Sequence, residues 1–396
     1  MEVKRGYKKV RWGQIPNEWD SPNLGEIFTF KNGLNKAKEF FGHGTPIVNY
    51  MDVYKHRGLY STDLVGRVTL DQKEINNYEV RKGDVFFTRT SETAAEVGIA
   101  SVMLDDSSDT VFSGFVLRAR PKDESLVNGF KKYCFSTTEV RRQITSQSSE
   151  TTRALTNGRS LSSVSIARPS KPEQETIAEA LSDADALIES LEKLLAKKNL
   201  VKQGAMQGLL TGKKRLPGFT GEWVEKPLGV LAYLYQPKTI SAKDLTESGF
   251  PVYGANGVVG FYYKTNHDTW QVTVTCRGST CGTVNRTVDK CWITGNAMVL
   301  NCDQNTELNK EFFYHLLTNQ DFTDCITGTG QPQIVRTPLA SFTVNLPLEK
   351  KEQEFISTIL GDMDSDITEL ESKLSKVRQI KQGMMQELLT GRIRLV

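Results

Sequence analysis

Residues 173 to 216 align with residues 352 to 395 without a gap and are identical at about half of the positions. A match of that length is a duplication. Both copies open on EQE and carry a D-x-D pair, Asp183 and Asp185 in the first, Asp362 and Asp364 in the second. They close alike, on KQGAMQGLLTGKKRL and KQGMMQELLTGRIRL. A shorter match uses a larger offset: EWDSPNLG at 18 to 25 resembles EWVEKPLG at 222 to 229, pairing Trp19 with Trp223 and Gly25 with Gly229. The region enclosed by the first pair of anchors is therefore about 25 residues longer than the second. The chain is two dissimilar regions, each followed by one conserved segment.

The conserved segment reads as a helix of roughly forty residues, because its apolar side chains step by alternating fours and threes. Ile177, Leu181, Ala184, Ile188, Leu191 and Leu195 make that stripe in the first copy; Ile356, Leu360, Met363, Ile367, Leu370, Leu374 and Val377 make it in the second. Ser170 with Glu173 fits a capping box around Pro172, and Gly212 and Gly391 supply the glycine that commonly closes a helix. Residues 171 to 192 are strongly acidic, whereas 193 to 215 carry only positive charge, and the second copy repeats the split with Glu387 as the one acid in its basic half. Parallel pairing would set acid against acid. Antiparallel pairing sets acid against base along the seam, so an antiparallel two-helix coiled coil is expected.

A helix of this size is about 55 to 60 Å long. The layout that follows has one globular region at each end of a rod, a pseudo-twofold relation between the halves, and a nearly circular path with LLTGRIRLV ending near the amino terminus. The expected boundaries are a first region at 1–169, a helix at 170–212, a second region at 213–348 and a helix at 349–396.

Residues 20 to 168 and 224 to 346 show short apolar segments such as GDVFF, VGIASVML, QVTVTC and AMVL, bounded by glycine, asparagine and proline. Those are strand patterns, and NGFKKYCFSTTEVRRQI and KEFFYHLLTNQ add helices, so each region reads as an α/β domain and the whole as α+β. Each region places an arginine just after a strand, Arg89 in FFTRTSET and Arg277 in VTCRGSTCG. Each also ends on a polar stretch, TSQSSETTRALTNGRSLSS and TGTGQPQIVRTPLAS. Arginine bonds bidentately to guanine, and asparagine or glutamine to adenine, while hydroxyls hold phosphates. The candidate DNA contacts are Arg89, Thr90, Ser91, Arg153, Asn157 and Arg159 in the first region. In the second they are Asn256, Lys264, Arg277, Ser279, Gln331, Gln333 and Arg336. Within FYYKTNH and VYGANGVVG, Tyr253, Phe261 and Tyr262 either line DNA or belong to the core. Trp19 and Trp223 read as packing residues that seat each region on its helix.

Composition excludes more than it selects. A chain of 396 residues with 38% hydrophobic and 24% charged residues is ordinary, and a net charge of +3 does not diagnose a nucleic-acid partner. No apolar run is long enough to span a bilayer, and MEVKRGYKKVRWG lacks a signal peptide's apolar stretch, so a cytoplasmic protein is expected. The six cysteines form no CxxC pair, and no histidine completes a zinc site, so no metal is expected. His43, His56, His267 and His315 are scattered and read as structural or solvent-facing. There is no [ND]PP[FY] motif for an amino-methyltransferase, and LLTGKKRL lacks the first glycine and the hydroxyl of a phosphate-binding loop.

IPNEWDSPNLGEIF near the start, RPSKPEQETIAEAL and LPLEKKEQEFISTIL opening the helices, and the two LLTG endings give the chain a resemblance, over essentially its whole length, to the specificity subunits of type I restriction-modification enzymes. The resemblance implies a non-catalytic subunit with two target recognition domains. Each domain would read one half of a bipartite double-stranded DNA target. Two adenine methyltransferase subunits, which hold S-adenosylmethionine, and the motor-nuclease restriction subunits would assemble around it. This chain itself would need no cofactor. The helix copies would carry the methyltransferase docking surface, for which Lys202, Gly204, Met206, Lys381, Gly383 and Met385 are the candidates. Two other readings are a coiled-coil scaffold whose end domains bind protein, and a fused restriction enzyme with unrecognised chemistry.

Overall fold

The computed structural model describes residues 3–150, 154–328 and 330–395. The chain forms two compact units, one from Met1–Leu191 with Lys373–Val396 and one from Glu192–Ser372. Each unit thus takes half of each conserved helix.

The two helices run Lys171–Leu209 and Lys350–Leu388. In the first unit Glu173 pairs with Arg394, beyond the second helix's end, and Asp185 with Lys381; in the second unit Lys198 pairs with Asp366 and Lys202 with Asp364. Rising numbers on one helix meet falling numbers on the other within each unit, so the pair is antiparallel, as the charge blocks require. The expected seam is turned inward. Ile177, Leu181, Leu191, Ile356, Leu360, Ile367 and Leu374 are buried. Ile177 and Leu181 join the first unit's core with Leu388, and Ile356 and Leu360 join the second's with Leu209. Burying such side chains stabilises each by about 1.5–3 kcal/mol. Gly212 and Gly391 take φ of +70° and +71° just past the helix ends, the left-handed backbone that only glycine adopts cheaply. No helix among the described residues is long and apolar enough to cross a membrane.

The dissimilar regions share one topology. In the first unit the main sheet runs Phe28–Asn32, Val116–Pro121, Val85–Thr88, Ala100–Met103 and Gly58–Leu59. In the second it runs Tyr233–Tyr235, Ala297–Asn301, Val272–Thr275 and Val284–Arg286 in the matching order. Each unit adds a small sheet built round one strand, Phe41–Val48 or Phe250–Gly254, with one parallel and one antiparallel neighbour. The register equates Thr88 with Thr275, since Thr88 faces Val116 and Thr275 faces Ala297.

Glu173 does not close a capping box. It is 3% exposed, accepting from the Trp19 indole at 2.9 Å and from Arg394, whose guanidinium also lies 5.6 Å from the Trp19 ring. The second unit repeats the arrangement with Glu352 held by Arg215 at 2.7 and 2.8 Å, and Arg215 over Trp223 at 5.8 Å. The tryptophans therefore seat each unit on its helix start. The first unit's contact joins residues near the two termini, and Tyr7 donates to the Gly391 carbonyl at 2.8 Å.

Candidate nucleic-acid interface

In the second unit the central strand Val272–Thr275 ends against the turn after Phe250–Gly254 and then leaves the sheet. Strand alternation buries Cys276 and exposes Arg277 and Ser279. The polar stretch before the second helix returns beside this loop. Arg277 bridges Gln333, Gly278 N–H donates to Pro332 at 3.2 Å, and Ile334 N–H donates to Cys276 at 3.0 Å. Thr280 donates to the Asn256 side chain, tying in the hairpin turn. Three segments far apart in sequence thus form one edge carrying Asn256, Arg277, Ser279 and Gln331, all exposed, with Gln333 half-buried by its strand pairing. Arg336 is exposed with its guanidinium 5.5 Å from the Tyr233 ring. Lys264 is exposed beside Tyr263 but has no hydrogen bond to this edge. Tyr253 is core, Tyr262 is half-buried against Trp292, and Phe261 is exposed.

The first unit brings its two predicted stretches together in the same way. Thr90–Ser91 pairs with Ala154–Leu155, and Thr156 N–H donates to Arg89 at 3.0 Å. That last bond is the counterpart of Ile334 to Cys276. Arg89 therefore matches buried Cys276, and Thr90 matches Arg277. The two arginines, alike in sequence, lie one residue out of step and face opposite ways. Arg89 points inward, its Nη1 reaching the Gly114 carbonyl at 3.4 Å and its Nε buried without a partner. Ser91 is likewise buried, donating to Glu96 at 2.7 Å. Thr90 is half-buried, and Asn157 is exposed while its side chain caps the helix Gly158–Ser162 by accepting from Ser160 N–H at 3.0 Å. Arg159 is exposed, and Arg153 lies outside the described residues.

Two features of these edges escaped the sequence reading. Val258 and Val259, at the hairpin tip beside Asn256, are 52% and 54% exposed. The signal was an Asn-Gly turn followed by valines. In the first unit, Tyr50 and Tyr54 stack at 5.9 Å and line a cavity of about 370 Å³ with Met51, Phe115, Thr90 and Glu92. Glu96 also lines it, accepting from Tyr54 at 2.9 Å. Hydrogen bonds from Ser91 and Tyr54 hold the Glu96 carboxyl below its ordinary range. The first edge is aromatic and acidic where the second is polar and cationic.

The helix candidates divide by face. Lys381 and Lys202 are engaged by Asp185 and Asp364, and Met385 and Met206 pack against the two cores, which leaves these four little free to meet another protein. Intramolecular partners take them because they lie on the seam side. Gly204 and Gly383 face outward, with open space where a Cβ would stand. Beside them, at repeat-equivalent positions, Val201 and Ile380 are half-exposed apolar side chains that the seam pattern passed over. Among the described residues no group of histidine, cysteine and carboxylate side chains could hold a metal ion.

A family model for the type I restriction modification DNA specificity domain matches residues 16–200 and again 220–379. The type I restriction enzyme EcoprrI specificity subunit of Escherichia coli is 22% identical over 382 residues, covering 90% of each chain. The crystal structure of a type I restriction-modification S subunit from M. genitalium superposes with a TM-score of 0.64 at 17% identity, covering 98% of both chains. A second solved structure, described as the structural basis of complex assembly and conformational transition of the type I R-M system, gives a TM-score of 0.54 at 15% identity over 96% of this chain and 99% of that one. One matched domain per unit, over most of the sequence, means that this chain belongs to the family of type I restriction-modification DNA specificity subunits.

Proposed function

We propose that each unit grips one half of a bipartite, asymmetric duplex target through the edge formed at the end of its central strand, as the non-catalytic member of its complex. The convergence of Arg277, Ser279, Asn256 and Gln331 carries this reading: four exposed groups suited to bases and phosphates are drawn from three separate segments. The matching edge in the first unit differs in charge and in shape, so the two half-sites differ. Its carboxylates suit a base that offers an exocyclic amine, and Arg277 suits guanine. The two helices set the spacing of the half-sites, with centres about one helical turn apart on the duplex.

Partner adenine methyltransferases dock on the outward helix faces around Gly204 and Gly383 and supply S-adenosylmethionine and base flipping. Motor-nuclease subunits join the same assembly, which works in the cytoplasm. The structural neighbour whose description concerns complex assembly of the type I R-M system is in keeping with an assembly of this kind.

The test is methylation mapping of a host carrying the chain, before and after the region from Trp223 to Glu352 is exchanged for that of another specificity subunit. One half-site changes and the other stays. If both change, the units do not read independently, and if no methylation depends on the chain, the scaffold reading takes its place.

A further inference from the structure

The first unit contains a cleft of about 670 Å³ at the end of its central strand opposite the base-reading edge. Lys82, Lys122, Lys131 and Lys171 line it with Arg81 and Arg120, against three acids, Asp84, Asp123 and Glu124. Arg120 is already engaged by Asp84 at 2.8 and 2.9 Å and by Glu79 at 3.0 Å, and Arg81 by Glu79. The four lysines have no carboxylate within ion-pair distance among the described residues.

Lys131 is the informative member. It is 4% exposed, and its ammonium donates only to neutral oxygens, Asn128 Oδ1 at 2.9 Å and the Gly83 carbonyl at 3.2 Å. An ammonium has three protons, so one is left without a protein acceptor. Burial pushes its pKa down, and the more distant carboxylates Asp84, Asp123 and Glu124 oppose that shift without reversing it. Gly83, at φ +85°, makes the room: a Cβ there would stand 3.3 Å from Lys131 Nζ.

The second unit supplies an internal control. Val127 N–H donates to Gln174 at 2.9 Å, and Asn309 N–H donates to Gln353 at 2.8 Å, which equates Lys131 with Phe313. The strand register equates Gly83 with Trp270. Phe313 is 0% exposed. At these positions the second unit has a buried phenylalanine and a half-buried tryptophan, and the first unit instead keeps a buried charge, at a cost in desolvation that an apolar side chain would avoid. Neither base reading nor helix docking, which both units share, calls for it.

We propose that this cleft is a binding site for a small polyphosphate-bearing anion, inorganic or nucleoside, whose charge compensates Lys131. Its volume is that of a small-ligand pocket, and no aromatic ring lines it, so the phosphates rather than a stacked base carry recognition. A duplex lying on the reading edge is about 20 Å away along the strand, six residues on from Gly83, which favours a free ligand over the DNA backbone.

The full chain is titrated calorimetrically with tripolyphosphate and with ATP at constant ionic strength. One saturable site per chain is expected, weakened at least tenfold in Lys131→Met and in the exposed double variant Lys82→Ala/Lys171→Ala, and unchanged in Arg277→Ala. The double variant keeps the test open should Lys131→Met fold poorly. Absence of saturable binding, or equal binding in the double variant, would falsify the proposal. So would displacement of tripolyphosphate by duplex DNA in both the wild type and Arg277→Ala, because the cleft would then be a path for backbone phosphates.

Discussion

Each long helix keeps the second aspartate of its D-x-D pair for the same purpose, and the two units finish the cluster differently. Asp185 accepts from the Tyr133 hydroxyl at 2.7 Å and pairs with Lys381. Burial opposes its charge, but the bonds from Lys381 and Tyr133 outweigh it and hold the carboxyl below its usual range. Asp364 pairs with Lys202 and has His315 Nδ1 at 3.9 Å in the place of the tyrosine. Burial pushes the His315 pKa down to about 4, against the pull of Asp364. Because the folded value lies below the unfolded one, the unfolded chain binds the extra proton and stability falls with falling pH between about 6.5 and about 4. From pH 7.5 to pH 4.5 this residue alone removes about 2–3 kcal/mol. His315→Tyr, which copies the first unit, is expected to abolish that component. Denaturant melts of both proteins at the two pH values check it, and parallel losses in the two would rule out His315 as the source.

At the scale of the helices, the duplication explains why residues recur with the same duties. Gln174 and Gln353 each reach the backbone N–H that precedes a short helix, and Glu173 and Glu352 each hold an arginine beside a tryptophan. The acidic and basic blocks were enough to predict the antiparallel sense, since charge pairing depends only on the order of residues along each helix. The duty of Glu173 was not legible, because its partners Trp19 and Arg394 are brought to it from distant parts of the chain. Outward-facing Val201 and Ile380 mark the surface that no internal packing uses. Val201→Asp with Ile380→Asp is expected to leave the chain's stability within about 0.5 kcal/mol, as exposed substitutions do. It should weaken methyltransferase assembly by 2 kcal/mol or more, about thirtyfold, if these side chains centre the interface. Co-purification with the methyltransferase subunits and a thermal melt read the two effects separately; unchanged assembly would move the docking surface elsewhere.

For the molecule as a whole, the proposal that the helices set target spacing has a metric consequence. One heptad inserted between Lys193 and Leu194, and a second between Ser372 and Lys373, falls at opposed positions of the antiparallel pair and preserves the seam. Each insertion adds about 10 Å, or about 3 base pairs of duplex. Methylation mapping is expected to return the same half-sites with a spacer longer by about that amount, and an unchanged spacer would show that the helices are not the ruler. The repeat, the two helices, their antiparallel pairing, the mixed sheet-and-helix regions and the family resemblance were all present in the sequence, because each rests on local periodicity, charge order or direct similarity. That Arg277 faces outward while Arg89 faces inward was decided only by tertiary structure. Both strands leave their sheets at equivalent threonines, but Arg89 follows Thr88 by one residue and Arg277 follows Thr275 by two, which turns them to opposite faces, and the pairing that fixes this comes from segments more than fifty residues away. The same holds for Lys131, an ordinary lysine in sequence, whose burial on neutral oxygens alone exists only once Gly83 is folded against it.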